Sequence, residues 1–137
     1  MKKLFVFILF TSFFGCKQED ISNRAFLLSG ESSRSWQIIA IIQDGKEGIP
    51  LDCQSDDVET FYDNSGYVYG HGSKSCSNQS NMDGTWTISE DFKSITISYH
   101  DESYFANTYQ IIHLSDQKMV LGQNSFYSTQ YTYKLVK

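Results

Sequence analysis

Short stretches of alternating apolar and polar residues, each ended by a turn signal, fill this chain from Trp36 to Val136, with no long helical period among them. Trp36 to Gln43 reads as a first strand with apolar residues on both faces: Trp36, Ile38, Ala40 and Ile42 against Ile39 and Ile41. Val58 to Tyr62 and Tyr67 to Tyr69 flank the turn chemistry of Asp63-Asn64-Ser65-Gly66. Asp83-Gly84 leads into Thr85-Trp86-Thr87-Ile88. After a turn at Ser89 to Lys93, Ser94 to Tyr99 alternates through Ile95, Ile97 and Tyr99. Tyr109 to Leu114, Lys118 to Gly122 and Gln130 to Val136 complete the series, with Gln123 to Thr129 read as a polar loop. About eight short strands joined in sequence imply an all-β, antiparallel up-and-down meander, which must close into a barrel or pair into a sandwich to hide its edges. Aromatic residues, 15% of the chain, suit a barrel interior. Ahead of the strands, Ile21 to Ser33 is polar except for Phe26-Leu27-Leu28, a helical turn expected to close one end of the fold.

The first residues have a different character. Lys2 and Lys3 precede an apolar run from Leu4 to Phe10, continued by Phe13 and Phe14 up to Gly15-Cys16. A positive start and a short apolar core make a secretory signal over residues 1–15, too short to be a permanent membrane helix. A small residue directly before a cysteine resembles the lipobox of bacterial lipoproteins. That resemblance implies cleavage before Cys16, a lipid on its thiol, and membrane as a partner through that anchor. The alternative is an ordinary signal followed by a cysteine that plays no part. Residues 16–25 then form the lipidated N-terminus and tether, and residues 26–137 the folded domain. Lys17-Gln18-Glu19-Asp20 resembles the signal that sends some Bacteroidota lipoproteins to the outer face of the outer membrane; a periplasm-facing anchor is the other option. Without Lys2 and Lys3, nine basic residues face sixteen acidic ones, a net charge of −7. Such a charge speaks against nucleic acid as a partner and is commonly a solubility device.

With Cys16 taken by lipid, Cys53 and Cys76 remain in an oxidising compartment, where two thiols pair. Both stand equally far from a turn centred between Asn64 and Ser65. A hairpin folded there opposes Tyr62 to Tyr67, Thr60 to Tyr69 and Cys53 to Cys76, so a disulfide would clip its open end. A two-cysteine metal site is disfavoured, since no further His or Cys stands nearby at ligand spacing.

Leu27-Leu28-Ser29-Gly30 followed by Trp36-Gln37-Ile38, Cys53 with Asp56 to Phe61, Gly66-Tyr67, Gly84 to Asp91, Leu114 to Leu121 and Tyr131-Thr132-Tyr133 together resemble the lipocalin-like domain found on Bacteroidota lipoproteins. The resemblance implies a small lipocalin-like (calycin) barrel and no particular ligand. His71, His100 and His113 are the chain's histidines, and no nucleophile elbow, phosphate loop, dinucleotide fingerprint or zinc-protease motif occurs. Asp52, Asp56, Asp57 and Glu59 lack the alternating spacing of a calcium loop. The chain therefore reads as a non-enzyme without cofactor or metal. Two functions stay open. A barrel binding a small hydrophobic or amphipathic ligand would line its pocket with Trp36, Tyr69, Trp86, Tyr109, His113 and Tyr133. A barrel filled by those same side chains would instead be an accessory module of a cell-surface complex.

Overall fold

A computed structural model of the protein describes residues 21–74, 76, 80–124 and 128–136. The signal, Cys16 and the segment after it lie outside the described residues. Among the described residues, helix α1 (Ile21–Ser29) is followed by nine strands: β1 (Ser33–Gln43), β2 (Lys46–Gly48), β3 (Val58–Tyr62), β4 (Gly66–Gly70), β5 (Met82–Ile88), β6 (Ser94–Tyr99), β7 (Asn107–Leu114), β8 (Lys118–Asn124) and β9 (Ser128–Val136). Every pairing is antiparallel. From β3 to β9 each strand pairs with its successor, and β9 pairs with β1, so β1 and β3–β9 close an eight-stranded barrel. Of the expected loop at Gln123–Thr129, residues 125–127 lie outside the described residues, and the flanking positions are strand, since β8 and β9 stay paired as far as Asn124 opposite Ser128.

Turn chemistry sets the registers. Asp44 and Gly45, both with positive φ (50° and 76°), form a two-residue turn that folds β2 back on Ile41–Gln43. In the β3–β4 hairpin the amide of Ser65 donates to the Tyr62 carbonyl, and Ser65 itself is left-handed, φ 67°. A type I turn followed by a left-handed residue inserts one extra position. Phe61 consequently lies opposite Tyr67 and Glu59 opposite Tyr69, one residue away from the register expected from symmetry about Asn64–Ser65. Such a slip exchanges the faces of the strand. Phe61 is buried and Tyr62 points outward.

Two bulges change parity elsewhere. In β1 the register shifts between Ile38 and Ala40, so Trp36, Ile38 and then Ile41 belong to the inner face while Ile39 is exposed. In β7 it shifts between Ile111 and His113. Ile112, 51% exposed, and His113 therefore both face outward, and the interior position expected for His113 is not observed.

One end of the barrel is packed solid. Phe61, Trp86, Ile95, Ile97, Met119 and Leu121 fill it, and Leu28 of α1 covers it. The helix ends at Gly30, a left-handed cap with φ 69°. Its last carbonyls are satisfied by side chains of β1: Arg34 Nη1 donates to Leu27 O at 2.8 Å, and Trp36 Nε1 to Leu28 O at 2.9 Å. Trp86 Nε1 donates to Tyr62 O at 3.0 Å in the same region. At the opposite end Cys53, in the short 3₁₀ turn Asp52–Gln54, is bonded to Cys76, with Cα atoms 4.8 Å apart. Around that bridge Lys74 Nζ pairs with Asp52 (2.9 Å), and Asp56 accepts from Ser73 Oγ (2.9 Å).

The bridge joins residues 23 apart. In the chain-entropy picture its loss should lower stability by about 3 to 4 kcal/mol. Urea unfolding of the protein and of Cys53→Ser/Cys76→Ser measures this; a loss below about 1 kcal/mol would mean that the loops, not the bridge, hold the hairpin's end.

Candidate functional site

The barrel is not filled throughout. Towards the end opposite α1 a cavity of about 190 Å³ is lined by Trp36, Ile38, Ile41, Gln54, Asp57, Glu59, Met82 and the tyrosines 67, 69, 99, 109, 131 and 133. Strand alternation supplies this lining. On β3 the slipped register turns Glu59 inward beside Phe61, and on β4 it brings Tyr67 and Tyr69 to the same face. Gly84 of β5 lies opposite both Tyr67 and Tyr99. A Cβ there would run into the carbonyl of Ser98. The rings of Tyr67 and Tyr99 lie 6.0 Å apart between centroids, at 74°. Across the cavity Tyr109 and Tyr131 meet at 6.2 Å and 82°. Rings set edge to face enclose a space instead of stacking into it.

Glu59 is the chemical centre. Tyr133 on β9 reaches across β1 and donates its hydroxyl to Glu59 Oε1 at 2.9 Å. Burial pushes the Glu59 carboxyl up from the ordinary 4.5 to about 6, while hydrogen bonds from Tyr133 and Tyr67 restrain the rise. Burial, together with the charge of Glu59, also pushes the Tyr67, Tyr109 and Tyr133 hydroxyls up, so all three stay protonated donors at neutral pH. Asp57, 4% exposed, is occupied differently. Its Oδ2 accepts from Tyr69 Oη at 2.5 Å and its Oδ1 from the Gly72 amide at 3.0 Å, fixing the loop after β4. His71 Nδ1 stands 3.7 Å from Asp57 Oδ2, so the tyrosine, not the histidine, makes the short bond.

Of the residues expected around a ligand, Trp36, Tyr69, Tyr109 and Tyr133 come together on this cavity. Trp86 and His113 do not: Trp86 belongs to the packed end against Phe61, and the β7 bulge turns His113 outward. Sequence reasoning missed Glu59, Tyr67, Tyr99 and Tyr131. The available signal was an acid two positions from Phe61 on a strand, the spacing that shares a face.

The sequence model of the lipocalin-like domain matches residues 33–121. The chain belongs to the lipocalin-like domain family. The matched stretch begins at β1 and runs to Leu121 of β8, taking in Glu59 and all the lining tyrosines except 131 and 133. Among solved structures, the chain is similar to the crystal structure of an uncharacterized protein from Bacteroides eggerthii DSM 20697, with TM-score 0.58 and 16% identity over 74% of this chain and 97% of that one. At that identity the likeness is one of fold. No curated protein matches the chain.

Because the Glu59 carboxyl is raised, the folded protein holds a proton between pH 4.5 and about 6 that the unfolded chain has released. Stability therefore falls as pH rises through that window, by about 2 kcal/mol. Glu59→Gln carries no such charge. Its stability relative to the wild type should improve by about 2 kcal/mol between pH 4 and pH 7.5 in denaturant titrations, whereas a difference independent of pH would show that Glu59 is not buried in its charged form.

Proposed function

We propose that the protein is a lipid-anchored binding module whose barrel admits a small amphipathic molecule into the tyrosine-lined cavity and does not turn it over. The cavity carries the reading: one end of the barrel is packed, while the other leaves about 190 Å³ walled by tyrosine hydroxyls, rings and the carboxyls of Asp57 and Glu59. Apolar walls with a few convergent polar groups are the makings of a small-molecule site. The volume lies below the range for drug-sized ligands, which favours a compact occupant over a long acyl chain. Membrership of the lipocalin-like family supports ligand binding as the role. The Gly15-Cys16 junction after an apolar run supports an anchor at Cys16, on the outer membrane and facing either the cell surface or the periplasm.

A second reading has its own observation. Ile49 (86% exposed), Leu51 and Phe105 (88% exposed) lie in loops that follow β2 and β6. Exposed apolar side chains of this kind favour docking to a protein of a surface complex.

The two tryptophans separate these readings. Trp36 lines the cavity, and Trp86 sits in the packed end. Titration with small amphipathic molecules should give a saturable change in tryptophan emission that survives Trp86→Phe and disappears in Trp36→Phe. A panel without any saturable response would leave the docking reading ahead. For the anchor, cells fed a clickable fatty acid should label the wild type and not Cys16→Ser; label persisting on the serine variant would refute lipidation at that residue.

A further inference from the structure

We propose that Glu59 is the counter-ion for a ligand bearing an ammonium or other organic cation, held in a cage of tyrosine rings. The inference rests on the cavity being a ligand site and names the chemistry of its occupant. Two carboxyl groups, Glu59 and Asp57, line the cavity; among the described lining residues there is no Lys, Arg or His. Asp57 already accepts from Tyr69 and Gly72. Glu59 has hydroxyl donors in Tyr133 and Tyr67 but no cationic partner among the described lining residues. A half-buried carboxylate walled by tyrosine rings is costly to leave without positive charge, and hydroxyl donors only soften that cost.

The walls answer the same need. The ring face of tyrosine is the negative pole of its quadrupole and attracts a cation within about 6 Å of the centroid. Tyr67, Tyr99, Tyr109 and Tyr131 surround the space in edge-to-face pairs. An anionic ligand would be repelled by Glu59 and by the ring faces alike. A neutral alcohol could hydrogen-bond to Glu59 but would leave its charge uncompensated. A cation satisfies both features, and the chain's net charge of −5 draws it in.

Benzylamine, protonated at pH 7.5, and benzyl alcohol differ in little but charge and make a matched pair for calorimetric titration of the full chain. The amine should bind at least about tenfold more tightly than the alcohol. Glu59→Gln should bring the two affinities to about the same value. Tyr131→Leu, which keeps the carboxyl and removes one ring, should weaken the amine more than the alcohol, lowering the ratio of the two affinities about fivefold; an unchanged ratio would count against the ring cage, and this variant decides the matter if Glu59→Gln does not fold. Binding of the alcohol as tight as that of the amine, or an amine preference retained in Glu59→Gln, would overturn the cation and leave the cavity as a ligand site. Failure of both compounds to bind would overturn the ligand site itself, and the counter-ion with it.

Discussion

The pairing of the first strand with the last makes the inside of this molecule. β9 runs along β1 from Val136 opposite Ser35 to Thr129 opposite Gln43, and without that seam the meander would be an open sheet with two bare edges. Closure forces the side chains of one parity on every strand into a shared interior. It also places Tyr133 within 2.9 Å of Glu59, a residue 74 positions earlier in the chain. The bulge at Ile39 lies in this seam. By adding one residue to β1 it turns Ile41 inward at the cavity end, where simple alternation would have put Ala40 and Ile42.

Given a closed interior, the sequence divides it. Large rigid groups at Phe61, Trp86, Ile95 and Ile97 fill one end, and α1 covers it with its last carbonyls bound to Arg34 and Trp36. Trp36 joins the two halves, its indole nitrogen held by the helix and its ring forming part of the cavity wall. At the other end tyrosine hydroxyls and the carboxyls of Asp57 and Glu59 join the aliphatic side chains of Ile38 and Ile41. Gly84 contributes no side chain, and the loops are held by Asp57, Asp56 and the Cys53–Cys76 bridge. A packed base under a partly open, tyrosine-lined half suits a site that must keep its shape with or without an occupant.

Strand existence and order were legible because alternation and turn residues are local properties. The bounds of Val58–Tyr62 and Ser94–Tyr99 are legible to the residue, and the cysteine pairing is legible in the equal distance of Cys53 and Cys76 from the hairpin turn. Register was not legible, for a physical reason in each case. Ser65 adopts a left-handed conformation usually left to Gly or Asn, and that single extra position sets Glu59, not Thr60, opposite Tyr69. The centre of the candidate site was therefore hidden by one dihedral angle. The bulges at Ile39 and Ile112 likewise carry no Gly or Pro to announce them, so Ile41 was missed and His113 was placed inside. Trp86 alternates as expected and is interior, but which end of the barrel a strand position reaches depends on strand tilt and stagger, which alternation does not encode.

The central claim is that the unfilled half of the barrel is a place for a small molecule. Native mass spectrometry of the full-length protein, extracted in mild detergent from the cells that make it, tests this most directly. The account predicts a one-to-one complex with a small organic molecule, released when the protein is denatured. Recovery of the protein only at its own mass, with no such adduct under conditions that preserve the fold, would contradict it.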